Sequence, residues 1–281
     1  MPYRKAHYWI SGIFVVTIIG FFPSYFMRLD TAPIEFHAHA ATSLIWTALV
    51  ILQSWSIHHQ KKALHKTVGK ASFLLFPLLT ASFVGIINIT AEKYTSGEKF
   101  AQMMGAGFGF AMTIAIIAYL FLYYGALKYR RSVKIHAGFM LATPLVLFES
   151  PFSRLLIMAI PALRPTGPDT FYLIHISIVI SMAIATAIAL YLWKKDTKNG
   201  WPFAYAAGFM ALEALLIVGA NYVQLAHDVF YLYTSIPSWI SSGVGFLLGA
   251  AAAWLGWEHG KPNHKKPQAR TTSKMASSLG S

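Results

Sequence analysis

Long apolar segments constrain this chain more than any other feature. A helix needs ~20 residues to cross the ~30 Å hydrocarbon core of a bilayer, and eight segments meet that length: 8–29, 34–57, 68–91, 100–127, 135–160, 170–193, 203–225 and 237–257. Charged residues make up 12% of the sequence, about half of the ~25% found in a soluble domain. We therefore predict an all-α fold, a polytopic transmembrane helical bundle of about eight spans.

The segments follow one another with short connections, which predicts a single transmembrane domain over 1–257. The stretch 258–281 is rich in Lys, Ser, Pro and Gly and has too little apolar content to fold, so we predict a basic, disordered tail. The first segment follows Arg4 and Lys5, as a signal peptide would. It lacks a small-residue cleavage site, so we expect it to be retained as a span.

The loop charges predict the orientation of the chain. If both termini lie inside, the inner segments hold 18 Lys and Arg against two acidic residues, and the outer loops hold four basic residues against six acidic ones. Positive residues concentrate on the cytoplasmic side of membrane proteins. We therefore expect cytoplasmic termini and a bacterial inner membrane. Topology explains the net charge of +13, so no nucleic-acid partner is needed to account for it.

The absence of cysteine narrows the chemistry. The chain has no Cys, which excludes disulfides, thiolate metal sites and a c-type haem held by C-x-x-C-H. Any haem would be of the b type, and any metal ion would be held by His, Asp or Glu. Sequence motifs of soluble hydrolases, kinases and dinucleotide-binding proteins are missing as well.

Four histidines lie near the ends of the predicted spans. His39 and His175 fall in the outer half of the bilayer, and His65 and His136 fall at the inner side. Ionisable side chains at membrane depth are costly and are usually kept for a function. These four residues are therefore candidate ligands of a cofactor.

Helical phase indicates which polar side chains point inward. In the second span, His39 shares a face of about 40° with three other residues at ~100° per residue: Ser43, Trp46 and Gln53. In the fifth span, His136 shares a face with Arg154, and the residues between them on that face are Met140, Thr143 and Ser150. Polar stripes of this kind are expected to face the interior of the bundle.

Two acidic residues lie inside spans. Glu213 falls near the midplane, where a carboxyl group pairs with a cation, accepts hydrogen bonds or carries a proton, and Gln224 follows on the same face. Glu149 precedes Arg154 and points in another direction in an ideal helix. Pro151 can rotate the intervening turn, so the sequence leaves undecided whether the two residues form an ion pair. Arg154 and Glu213 are the single residues that we most expect to be functional.

The first functional hypothesis is a b-type haem electron carrier. Haem iron takes axial imidazole ligands, so His39 with His175, and His65 with His136, would hold two haems in a route across the membrane. Arg154 would offset a haem propionate. One feature weighs against this hypothesis, because no single span carries two histidines 13 or 14 residues apart.

The segment 35–155 carries a resemblance. The pattern H-A-H39…W46…Q53…L-H65-K-T-V-G69, followed by H136-A-G-F-M140, resembles a group of bacterial multi-spanning membrane proteins that has no assigned activity. More loosely, the chain resembles the cytochrome b561 class. The second resemblance implies one haem ligand from each of four helices. The first implies a shared core that consists of His39, Trp46, Gln53, His65, His136 and Arg154.

Two further classes of function stay open, as does enzyme activity itself. One is a metal-dependent lipid hydrolase or hydroxylase that uses His39, His175, His227 and a carboxylate, although the spans lack paired ligands at i and i+4. The other is a transporter or ligand-binding protein, in which a glutamate carries protons and Arg154 binds an anion. A quinone or other small ligand, a redox partner protein and a non-catalytic assembly role are also compatible with the sequence.

Overall fold

The computed structural model describes residues 2–262, and all regular elements in this range are helical. The α-helices are α1 (Ala6–Phe21), α2 (Ile34–His58), α3 (Lys62–Thr95), α4 (Lys99–Lys128), α5 (Val133–Ala159), α6 (Tyr172–Lys195), α7 (Trp201–Gly219), α8 (Gln224–Tyr233) and α9 (Ser238–His259). Seven of those described helices are long and apolar enough to span a membrane. The predicted fold class is confirmed. Most of the predicted tail lies outside the described residues.

The first predicted span is shorter than expected. Helix α1 has 16 residues, about 24 Å at ~1.5 Å per residue, whereas the prediction ran over 8–29. The chain leaves the α-helix just before Pro23, whose missing N–H cannot continue the hydrogen-bond ladder. A short 3-10 turn follows at Phe26–Arg28.

The seventh α-helix ends at Gly219, whereas the prediction ran to residue 225. The side chain of Asn221 bonds to backbone groups at this point. The Asn221 side chain donates to the carbonyl of Ile217 at 2.8 Å and accepts the N–H of Gly107 at 2.8 Å. Asn side chains that bond locally compete with helix continuation. Gln224 therefore starts the separate helix α8 and donates to Asp228, so the prediction that it shares a face with Glu213 was wrong.

The helix ends that carry most of the Lys and Arg residues meet at one end of the bundle, here called the basic end. Lys134 of α5 pairs with Asp196 after α6 at 2.8 Å. Arg130, after α4, donates to the carbonyl of Trp257 in α9 at 2.8 Å. The opposite end, here called the acidic end, joins α3 to α4 through an ion pair between Lys93 and Glu98.

Helix α4 lies at the centre of the bundle and packs against α3, α5, α7 and α9. Beside it, Trp46 of α2 is fully buried and donates from Nε1 to Thr143 Oγ1 at 3.0 Å. Tyr119 donates to the Thr143 carbonyl at 2.7 Å. Polar groups at membrane depth need such partners because hydrocarbon offers none. The predicted inward direction of the Trp46 face is confirmed.

Candidate functional site

A cavity of about 410 Å³ extends from the acidic end into the middle of the bundle. Helix α4 lines it from Phe100 to Ala115, a rise of about 22 Å along the helix. The walls are mainly apolar and include Phe83, Met104, Phe108, Met112, Val146 and Met182. This volume lies within the ~300–1,000 Å³ that is typical of small-molecule sites.

Four polar residues that the sequence singled out line this one cavity. They are His39 of α2, Glu149 and Arg154 of α5, and Glu213 of α7. Three helices that are distant in sequence thus bring a cationic group, two carboxyl groups and an imidazole to one apolar-walled space. The arrangement agrees with the small set of convergent polar groups that ligand pockets usually show.

Arg154 is held in place without a carboxylate partner. Its Nη1 donates to the carbonyl and to the hydroxyl of Ser150, both at 2.8 Å, and its guanidinium lies 4.4 Å from the ring centre of Phe21. Within residues 2–262, the ion pairs closer than 4.0 Å include neither Arg154 nor Glu149. The ion pair between Glu149 and Arg154, which the sequence left undecided, is therefore not formed. A guanidinium has five N–H donors, and Nε and Nη2 of Arg154 have no hydrogen-bond acceptor among the described residues.

Glu213 lines the deep part of the cavity and is almost fully buried, with 4% of its surface exposed. Its Oε1 has no hydrogen-bond partner in the described part of the chain. An unsatisfied buried polar group costs about 1–3 kcal/mol, and an ionised carboxylate without a cation costs several kcal/mol more. The carboxyl group of this cavity-lining residue avoids the larger cost when it carries a proton.

His39 lies along the cavity wall on α2. Its Nδ1 is 3.4 Å from the hydroxyl of Ser82, and its ring packs 4.9 Å from that of Phe83. Ser82 also bonds to the hydroxyl of Thr42 at 2.8 Å. The imidazole is therefore oriented by α3, while the ring itself borders the cavity.

His175, unlike His39, is not among the residues that line the cavity. Its Nε2 lies 3.4 Å from the Asn221 amide at the end of α7. His227 is also occupied, with Nδ1 bonded to Tyr94 and Nε2 bonded to the carbonyl of Asn221. Over residues 2–262, no three His, Asp or Glu side chains converge in a geometry that could hold a metal ion.

His65 and His136 come together at the basic end, with ring centres 6.4 Å apart. The Nδ1 of His65 bonds to the carbonyl of Gln53 at 3.3 Å, and the Nδ1 of His136 bonds to the carbonyl of Ala126 at 2.8 Å. The Gln53 amide in turn donates to the carbonyl of His65 at 3.1 Å. Of the two histidine pairs proposed from the sequence, this one is in close contact.

Sequence reasoning missed several residues that line the cavity or orient its polar side chains. Phe21 and Ser82 orient Arg154 and His39, and Lys93 and Glu98 also line the cavity. Ser82 is a small polar residue that apolar helices tolerate, and the two charged residues resemble ordinary loop residues. Their roles depend on contacts between distant segments, which periodicity within one helix does not reveal.

No known protein family, curated protein or solved structure matches this chain.

Proposed function

We propose that this membrane protein binds a small anionic molecule with an apolar body in the cavity at the acidic end, and carries it across the bilayer together with a proton. The observation that carries the proposal is the cavity, which joins an Arg154 without a carboxylate partner to a Glu213 with an unsatisfied oxygen. In the proposed orientation, the basic end faces the cytoplasm.

Arg154 supports an anionic ligand. A charged residue at membrane depth costs about 2.5–3.5 kcal/mol or more, and Arg154 has no carboxylate within 4.0 Å among the described residues to offset this cost. A carboxylate, sulfonate or phosphate on the ligand would accept charge-assisted hydrogen bonds from the guanidinium. The apolar walls below Arg154 fit a hydrocarbon body better than a sugar or an inorganic ion.

Glu213 supports coupling to a proton. It lies deep in the cavity and has no cation within 4.0 Å among the described residues. Acidic residues at this depth serve as proton relays in transporters. Carrying a proton on Glu213 together with an anion on Arg154 adds no net charge to the loaded protein, which lowers the cost of the movement.

Ligand binding can be tested with four probes that share an eight-carbon body. The protein in lipid nanodiscs is titrated with octanoate, octanesulfonate, octanol and octylammonium while intrinsic Trp fluorescence or heat is recorded. We expect saturable binding of the two anions at one site per chain, with the alcohol and the cation at least tenfold weaker. Equal binding of all four probes would mean partition into lipid and would contradict the proposal.

Proton coupling can be tested in proteoliposomes with octanesulfonate, which stays ionised. We expect uptake to accelerate when the outside is made more acidic than the inside. Glu213→Gln keeps the shape of the side chain and should remove this acceleration, while octanesulfonate binding in nanodiscs persists. Uptake of Glu213→Gln that keeps the full pH dependence would exclude Glu213 as the proton carrier.

The haem electron carrier predicted from the four histidines is the second candidate. The close approach of His65 and His136 favours it, but His175 bonds to Asn221 and lies apart from the cavity that His39 lines. A single haem at the basic end would supply one-electron chemistry there without completing a route across the membrane. A reduced-minus-oxidised spectrum of protein expressed with sufficient haem tests this candidate directly.

A further inference from the structure

The histidine pair at the basic end has both rings fixed in one tautomer. A backbone carbonyl only accepts hydrogen bonds, so the Nδ1 atoms bonded to the carbonyls of Gln53 and Ala126 must carry the proton. Each neutral ring then presents an unprotonated Nε2. Metal-binding histidines are usually oriented in this way, with the other ring nitrogen donating to a carbonyl or carboxylate.

The spacing of the two rings fits one ion between them. A metal ion lies ~2.0–2.1 Å from an imidazole nitrogen, and the ring centre lies about 1.1 Å further. Two rings on opposite sides of an ion therefore have centres about 6.3 Å apart, whereas a tetrahedral angle brings them to about 5 Å. The observed 6.4 Å between the ring centres of His65 and His136 matches the spacing of the opposed arrangement when the two Nε2 atoms face each other.

Gln53 adds an independent sign of a missing partner. Its amide nitrogen is bonded to the backbone carbonyl of His65 at 3.1 Å. Its Oε1 is buried and has no hydrogen-bond partner within residues 2–262. The Gln53 amide oxygen is therefore a neutral oxygen donor without a partner, on a side chain that is bonded to the backbone of His65.

We infer that His65, His136 and Gln53 form a binding site for one copper(II) ion, with the two imidazoles opposite each other and the Gln53 oxygen as a third ligand. Opposed nitrogens with oxygen donors between them are typical of tetragonal copper sites, while zinc prefers a tetrahedral set. Copper(II) also has the highest affinity of the divalent first-row ions for neutral donors. The site is separate from the anion-binding cavity.

The test uses the full chain in nanodiscs, stripped with a chelator and given one equivalent of Cu²⁺. We expect an axial paramagnetic resonance spectrum with hyperfine splitting from two nitrogens, and Cu²⁺ retained against a tenfold excess of Zn²⁺. His65→Ala and His136→Ala should each lose this spectrum, while Gln53→Leu should keep the copper with shifted resonance parameters. Octanoate binding and thermal unfolding report whether each variant is folded.

His58→Ala is the matched control, because His58 lies at the same end but has both ring nitrogens bonded to carbonyls. Its copper spectrum should equal that of the wild type. A spectrum that survives in both His65→Ala and His136→Ala would show adventitious copper and overturn the inference. A Soret band in the wild type that disappears in these variants would also overturn it, since the pair would then hold haem iron.

Discussion

Trp46 shows how much one side chain contributes to this bundle. Its indole is fully buried, donates to Thr143 in α5, and packs against the rings of Tyr119 and Tyr123 in α4, with ring centres 6.4 and 5.4 Å away. The residue therefore joins the second, fourth and fifth helices between the cavity and the histidine pair.

Replacing Trp46 with Phe should destabilise the protein by roughly 2–4 kcal/mol. The substitution leaves the Thr143 hydroxyl without its donor, which costs ~1–3 kcal/mol, and the smaller ring leaves a void. Unfolding in SDS measures the change. Trp9→Phe is the control, because Trp9 is 77% exposed and should change stability by less than ~0.5 kcal/mol. Equal effects of the two substitutions would contradict this role.

At the residue scale, the sequence predicted the polar residues that line the cavity better than the residues that orient them. His39, Arg154 and Glu213 stand out because ionisable groups are rare in apolar helices. The partners that orient them, such as Phe21 and Ser82, are ordinary residues for such helices. They become recognisable through tertiary contacts alone.

At the element scale, α3 and α9 pack through glycine. Gly245 lies against Val84 and Thr80, and Gly249 lies against Thr80 and Pro77. The Thr80 hydroxyl donates to the carbonyl of Gly245 at 2.9 Å. Small residues let membrane helices approach closely enough for such contacts.

Gly249→Ala should destabilise the bundle by about 1–3 kcal/mol, because its Cβ would lie 2.8 Å from Pro77 Cα and against the Thr80 hydroxyl. Gly243→Ala on the same helix is the control, since nothing lies within 4 Å of its Cβ position. SDS unfolding of both variants gives the comparison. Similar losses in the two would indicate an effect of helix composition and not of the α3–α9 contact.

The connection between α6 and α7 makes a pH-dependent contribution to the stability of the folded protein. Hydrogen bonds from Lys134 and Asn199 hold the pKa of Asp196 below its ordinary value of 3.8. A lowered pKa in the folded state means that the stabilisation is fully present above about pH 4 and is lost as the pH falls through the folded value.

Asp196→Asn should therefore unfold more readily than the wild type at neutral pH, and the difference should shrink as the pH is lowered below about 4. Thermal unfolding across this range measures it. Lys198→Gln, a nearby charge outside the ion pair, is the control and should show little difference. A deficit in Asp196→Asn that stays constant with pH would exclude the ionised carboxylate as its cause.

For the whole molecule, hydrophobic length predicted most of the architecture. The segments of α2 to α6 appear near their predicted positions because each apolar run is long and uniform. The shortened α1 and the break that creates α8 depend on Pro23 and Asn221, which act through single backbone groups. Hydropathy averages over such local effects, so the predicted ends of the first and seventh spans were misplaced.

The orientation in the bilayer is a prediction that the chain itself makes easy to test. It contains no cysteine, so Thr166→Cys at the acidic end and Lys198→Cys at the basic end are unique labelling sites. A membrane-impermeant maleimide added to intact spheroplasts should label Thr166→Cys alone. Both should react after permeabilisation, and the reverse pattern in intact spheroplasts would invert the proposed topology.

The central claim is that the cavity binds an anion through Arg154. The most direct measurement is the equilibrium affinity for octanesulfonate in nanodiscs, compared between the wild type, Arg154→Gln and the loop control Arg164→Gln. Loss of a charged hydrogen-bond donor costs about 1.5–3 kcal/mol, so Arg154→Gln should bind roughly 10- to 150-fold more weakly, with Arg164→Gln unchanged. Affinity that is the same in folded Arg154→Gln and wild-type protein would contradict the account.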